Sequence, residues 1–258
     1  MSQQTDAYLN SVSAAARAAG AVIKERLGRP RTTEFKSLTD PVTEVDRQCE
    51  LLIREILTSA HPEVDFWGEE FGRSRDLGPS TWVVDPLDGT KNFVHGYPFV
   101  AVSIALLEQG RTTLGIVYDP IRDELFHAVQ GQGAFCNGQP LEVTRTNVLH
   151  EALVVPGFTT IPERQKDLIW RAAQSCQGIR RGGAAALDLC QLAAGRLDAV
   201  WEWSLQPWDL AAAVLIISEA QGTVSRIDGS EFDLFGGQVL ATNTSLHRQF
   251  VEMLNAPT

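Results

Sequence analysis

"WVVDPLDGTKNFVHG", residues Trp82 to Gly96, sets an apolar run against two carboxylates, a proline, a glycine and a threonine. Trp82, Val83 and Val84 read as a buried strand, because no polar residue interrupts them. Asp85 ends that run. Pro86 lacks the N–H that a ladder needs, so the chain is expected to turn there and bring Asp88 back toward Asp85. Gly89 permits close backbone approach, and Thr90 with the residues after it can open a helical turn whose free N–H groups attract an anion. Two carboxylates beside an anion are in conflict. At an effective dielectric of ~20, two unit charges ~5 Å apart repel by roughly 3 kcal/mol. Several such pairs would weigh heavily on a fold of ordinary, marginal stability. A hard divalent cation resolves this: Mg²⁺ prefers oxygen ligands, and phosphate oxygens complete its coordination.

More acids stand at element ends, where sites tend to form. Glu69 and Glu70 close the strand-like "VDFWGEE" (64–70), Asp46 lies in the first turn of a helix, and Asp209 opens the apolar helix in "QPWDLAAAVLIISEAQG" (206–222). Each alone has an ordinary reading. D-x-x-D-G is a common surface turn, Glu69–Glu70 a solvated edge, and Asp209 an acid complementing a helix dipole. The conjunction of Asp46, Glu69, Asp85, Asp88 and Asp209 points instead to a site. Aspartyl-nucleophile phosphatases place their acids two apart in D-x-D-x-T, whereas these are three apart around a proline, so that covalent chemistry is excluded by spacing.

Outward from this stretch, apolar residues at helical spacing predict a helix over Tyr8–Leu27, stopped by Gly28 and Pro30. A second helix starts near Thr43 with Val45, Cys49, Leu52 and Ile56 on one face. Between them "KSLTDPVTEVD" (36–46) reads as a polar hairpin. Residues Phe99 to Val143 carry strand-like runs broken by Gly110, Pro120 and a Gly/Asn-rich segment, the pattern of an antiparallel meander. Beyond a soft boundary near residue 145, strands alternate with helices. The expected organisation is two packed halves, an α+β half over residues 1–145 with most of the acids and an α/β half over 146–258 with the last one and the residues that choose the substrate.

At 258 residues the chain can bury a substantial core. With 32 acidic against 22 basic residues, a formal charge of −10 and no Lys/Arg cluster, nucleic acid is an unexpected partner. The four cysteines, Cys49, Cys136, Cys176 and Cys190, follow no C-x-x-C spacing and read as reduced thiols. No signal pattern opens the chain and no apolar run reaches the ~18 residues of a membrane span, so a cytoplasmic protein is expected.

The two stretches "WVVDPLDGTKNFVHGYPFVAVSIAL" and "WDLAAAVLIISEAQG", with "GEE" and "KSLTDPVTEVD" upstream, resemble the inositol monophosphatase family over essentially the whole chain. The resemblance implies a layered αβαβα sandwich of mixed α+β and α/β character, as in sugar phosphatases. It also implies Mg²⁺-dependent, lithium-sensitive hydrolysis of a small phosphate monoester by direct attack of water, with two or three Mg²⁺ ions and a homodimer. Carried over, Glu69, Asp85, the Leu87 carbonyl, Asp88 and Asp209 would hold metal. Thr90 and Asp46 would orient the attacking water, with Glu69 counted among the catalytic residues. Asp88, Gly89, Thr90 and Asp209 would also bind substrate, with the helix after Gly89 receiving phosphate. Gly183, Ala184 and Ala185, in "RRGGAAALDLC", would meet a sugar ring, and Glu202, seven residues before Asp209, its hydroxyls; the ordinary reading of Glu202 is an ion pair with Arg180 or Arg181. Thr159 and Thr160 receive no role, and His95 and His127 read as packing or surface residues. The substrate is expected to be inositol 1-phosphate. Fructose 1,6-bisphosphate, histidinol phosphate and a nucleotide 3′-phosphate are alternatives. A regulatory, RNA-associated protein keeping the fold is the reading from another class, and the retained acids argue against it, because a binding module gains nothing from five buried charges.

Overall fold

The computed structural model describes residues 3–30, 32–38, 40–72, 78–157 and 163–256, so Thr159 and Thr160 lie outside the described residues. In chain order the helices are α1 (Gln3–Arg26), α2 (Glu44–Ala60), α3 (Thr90–His95), α4 (Glu163–Ser175), α5 (Ala185–Ala193), α6 (Pro207–Glu219) and α7 (His247–Asn255). A hairpin of β1 (Thr33–Ser37) and β2 (Asp40–Thr43) stands apart from the sheets. The first sheet contains β3 (Asp65–Gly68), β4 (Ser80–Asp88), β5 (Ala101–Glu108), β6 (Arg111–Asp119), β7 (Glu124–Val129), β8 (Ala134–Cys136) and β9 (Gln139–Pro140) in that order. Only its β3–β4 pair is parallel; the remainder is the expected meander. The second sheet is built from β10 (Leu153–Pro156), β11 (Gly178–Ile179), β12 (Ala199–Trp203), β13 (Gly222–Ser225) and β14 (Gln238–Asn243), in the order β11-β10-β12-β14-β13.

Three apolar clusters stack these elements into five layers. α1 and α2 cover one face of the first sheet, where Val12, Ile23, Ile53 and Leu57 meet Trp82, Val84, Ile104 and Ile116. α5 and α6 fill the space between the sheets, packing Leu189, Leu210 and Ile216 against Val83, Val117, Val200 and Val239. α4 and α7 close the far side, where Leu168, Phe250 and Leu254 meet Val154, Trp201 and Leu240. This is the αβαβα order. Burial on two sides explains why β4 reads as a continuous apolar run and why α6 shows no polar stripe. The four cysteines are free thiols. Among the described residues no helix is long and apolar enough to cross a membrane.

The turn expected at Pro86 is instead a bulge. β4 continues to Asp88, with Asp85 opposite Ser103 and Asp88 opposite Ala101, so three steps on β4 match two on β5. Pro86 is tolerated because the extra residue of a bulge leaves the ladder locally unpaired. The consequence is functional. In a regular strand, residues three apart point to opposite faces, and one inserted residue restores the parity. Asp85 and Asp88 therefore share the face that Val83 turns toward α5 and α6.

Candidate active site

That face meets the start of three helices at a cleft of about 710 Å³. The first sheet supplies Glu69 after β3 and Asp85, Leu87 and Asp88 from β4. The start of α3 brings Gly89 and Thr90, the segment before α5 brings Gly183 to Ala185, and β12 and α6 bring Glu202 and Asp209. Residues more than a hundred positions apart thus line one space. Asp46 reaches it through Thr90.

Local structure fixes each group. Thr43 and Asp46 form a capping box on α2: the Thr43 N–H donates to Asp46 Oδ2 (2.8 Å), leaving Oδ1 to accept the Thr90 hydroxyl (2.8 Å). Asp209 repeats this device on α6, its Oδ2 accepting the Gln206 N–H (2.7 Å). The helix-start role read for Asp209 is real, and it leaves the other oxygen to the cleft. Asp85 Oδ1 accepts the Leu87 N–H (2.9 Å). Asp88 receives the first amides of α5, from Ala185 (3.0 Å) and Ala186 (2.8 Å). The Ala185 amide is therefore committed to Asp88, and a sugar ring could use only other atoms of that residue. Gly89 caps α3 at φ +90°, where a Cβ would press on Ala184 and the Phe99 carbonyl, so the close approach expected of it is made to the protein's own chain. Glu202 pairs with Arg181 (3.3 Å), the ordinary reading, and still lines the cleft. His127 stacks on Phe135, with ring centroids 5.5 Å apart.

The cleft is charged against itself. Burial raises Asp85 well above the ordinary carboxylate range, and Glu69, Asp88 and Asp209 add to the effect. Asp88 is raised in the same way by burial and by Asp209 and Asp188. Asp209 is pushed up to about 7, again by burial first, with Glu69 and Glu202 contributing. Burial also raises Asp46 and Glu202, against the hydrogen bonds from Thr43 and Thr90 in one case and Arg181 in the other.

The donors are carboxylates and a main-chain carbonyl, the set a hard cation prefers. Among the described residues no three His, Cys, Asp or Glu side chains stand close enough to enclose a metal by themselves. Lys36 Nζ donates to Glu69 Oε1 (2.7 Å) and Glu70 Oε1 (2.5 Å), tying Glu69 to the β1–β2 hairpin. Burial opposes the charge on Lys36, yet the pull of Glu69 and Glu70 raises it above an ordinary lysine. The set fits Mg²⁺ by donor chemistry and charge, with water, phosphate and main-chain oxygens left to complete the coordination.

The model of the inositol monophosphatase family matches residues 4–257. The chain belongs to the inositol monophosphatase family. An inositol-1-monophosphatase from Synechocystis is 42% identical over 257 residues, covering 96% of this chain and 89% of that one. The extragenic suppressor protein suhB from Bartonella henselae superposes with a TM-score of 0.93 at 35% identity, covering 98% of this chain and 100% of the other. An IMPase/NADP phosphatase complexed with Mg²⁺ and phosphate gives 0.87 at 27% identity, over 99% and 96%. The family's members are Mg²⁺-dependent phosphatases, and this chain is a phosphoric monoester hydrolase with their fold.

Two residues of the site carry no role in the sequence reading. Lys36 opens a stretch whose charge pattern looks like a solvated hairpin, and only the unbalanced Glu69–Glu70 pair hints that a cation must come from elsewhere. The Asn92 amide donates to the carbonyls of Phe99 (2.7 Å) and Gly182 (2.9 Å), tying α3 to the segment before α5. Nothing local to "KNFVHG" announces a bond ninety residues away.

Proposed function

We propose that the cleft hydrolyses inositol 1-phosphate to inositol and phosphate, with Glu69, Asp85, the Leu87 carbonyl, Asp88 and Asp209 holding two or three Mg²⁺ ions. Bound there, Mg²⁺ supplies a charge centre that acidifies water and neutralises charge developing on the phosphate. The chain's own contribution is orientation and proton handling. Thr90 Oγ1, donating to Asp46 Oδ1, keeps a lone pair free to accept a proton from the attacking water. Asp46 then takes the Thr90 proton, a transfer its burial favours because protonation removes a charge from a desolvated place. No nucleophilic side chain is needed, so water attacks phosphorus directly.

Glu202, which also lines the cleft, is 5% exposed and held by Arg181. A buried carboxylate in this position accepts hydroxyl hydrogen bonds, which selects a polyol over an apolar ester. The observation that carries the reading is that Glu69, Asp85, Asp88 and Asp209, from separated parts of the chain, border one cleft, where burial and neighbouring carboxylates raise Asp85, Asp88 and Asp209.

The test is phosphate release with Mg²⁺ across inositol 1-phosphate, fructose 1,6-bisphosphate, histidinol phosphate and adenosine 3′,5′-bisphosphate. Inositol 1-phosphate should give the highest kcat/KM. A preference for any of the other three would replace the substrate while leaving the hydrolysis intact.

A further inference from the structure

Glu50 is fully buried on α2. A carboxylate is held out of water only where donors meet it. Here they are main-chain N–H groups: Glu70 donates to Oε2 (2.7 Å) and Phe71 to Oε1 (3.2 Å). Those are the two residues directly after Glu69. Gly68, directly before it, lies against the same carboxylate, and a Cβ at that position would collide with Glu50. Arg54, one turn further along α2, stands 3.7 Å from Glu50 Oε1 with its guanidinium over the Phe66 ring at 4.7 Å. The chain on both sides of Glu69 is thus seated on one side chain.

The spacing on α2 explains how. Asp46 and Glu50 are four residues apart and share a face of the helix. Asp46 is delivered to Thr90, and Glu50 to the turn that ends β3. Upstream, the Glu69 N–H donates to the Val84 carbonyl (3.1 Å), continuing the β3–β4 ladder one residue past the strand. Sheet on one side and Glu50 on the other leave the Glu69 backbone little freedom, while its side chain is drawn outward by Lys36.

We propose that Glu50 is a positioning residue: by holding the amides of Glu70 and Phe71 it sets the direction from which the Glu69 carboxylate enters the cation site. The inference rests on Glu69 acting as a metal ligand, as proposed above. It assigns Glu50 no contact with substrate or metal.

The experiment measures Mg²⁺ dissociation constants by isothermal titration calorimetry on wild type, Glu50→Gln, Glu50→Ala and Asp88→Asn. Melting temperatures and kinetics on inositol 1-phosphate accompany them. Glutamine keeps the length but leaves one acceptor oxygen for two N–H groups, so Glu50→Gln should weaken Mg²⁺ binding about tenfold, within the range for groups that orient metal ligands. KM for inositol 1-phosphate at saturating Mg²⁺ should stay within about twofold of wild type, because Glu50 is placed behind Glu69 and not at the polyol. Glu50→Ala should weaken Mg²⁺ further, and if it does not fold, the glutamine variant carries the test alone. A Glu50→Gln protein with a lowered Tm but wild-type Mg²⁺ affinity and kcat would make Glu50 purely structural and overturn the proposal. Wild type that binds Mg²⁺, Asp88→Asn that does not and Glu50→Gln that equals wild type would sink this inference alone. Wild type that takes up no Mg²⁺ would sink it together with the proposed function.

Discussion

Asp198 and Asp85 are buried to nearly the same degree, 5% and 2% exposed, and the protein settles their charges in opposite ways. Asp198, just before β12, accepts the Thr144 hydroxyl (2.6 Å) and the Asn243 amide (3.4 Å) on one oxygen and the Leu153 N–H (2.7 Å) on the other. Three donors from three segments tie the second sheet to the chain that leads into it. Asp85 accepts the Leu87 N–H and otherwise faces Glu69, Asp88 and Asp209. Burial alone does not separate a structural acid from a functional one. The neighbours do: donors make a joint, and like charges call for a cation.

The largest expected effect is the one that sets these two acids against each other. Asp85→Asn should lower Mg²⁺-dependent phosphate release by about 10³-fold or more and leave metal-free stability unchanged or higher, because it removes a repelling charge. Asp198→Ala should do the reverse, costing roughly 2–4 kcal/mol in denaturant unfolding by orphaning the Leu153 N–H, with kcat of the folded protein within about twofold. Exchanged outcomes would mean that donor count does not distinguish the two.

pH sharpens the same contrast. Asp209 is raised to about 7 and Asp85 and Asp88 are raised well above the usual range, all chiefly by burial, whereas an unfolded aspartate titrates near ~3.9. Between these values the folded protein binds more protons than the unfolded one, so stability falls as pH rises. Without divalent cations, Tm should therefore drop between about pH 5 and pH 8, and added Mg²⁺ should restore more of it at pH 8 than at pH 5. A metal-free Tm that climbs over this range would contradict the crowding of the carboxylates.

A smaller effect is expected at Glu202. Glu202→Gln should cost about tenfold in kcat/KM on inositol 1-phosphate and about twofold or less on a small aryl phosphate. Equal losses on both would confine Glu202 to its pairing with Arg181.

Much of this was legible because local chemistry and tertiary need coincide. Trp82–Val84 is apolar on both sides because two layers cover β4, and the Thr43 and Asp46 spacing announces a capped helix start. Glu69, Asp88 and Asp209 were legible as a group because each stands at the end or start of an element, and Asp85 because it closes the apolar run inside β4. Pro86 does not declare its bulge, because a proline that cannot pair fits a turn and a bulge equally well, and only the opposite strand decides between them. Lys36 on Glu69 and Glu50 beneath Glu70 were hidden for another reason. Each joins residues twenty or more apart in sequence, and nothing in their own neighbourhoods records the partner.

The most direct measurement is thermal unfolding at pH 8 of wild type, Asp85→Asn and Asp209→Asn during Mg²⁺ titration. Carboxylates from β4 and α6 that share one cation predict a saturable rise in wild-type Tm, equivalent to about 2.7 kcal/mol at a hundredfold excess over Kd, and little or none in either variant. The same rise in all three proteins would place the cation elsewhere and contradict the convergence of these acids.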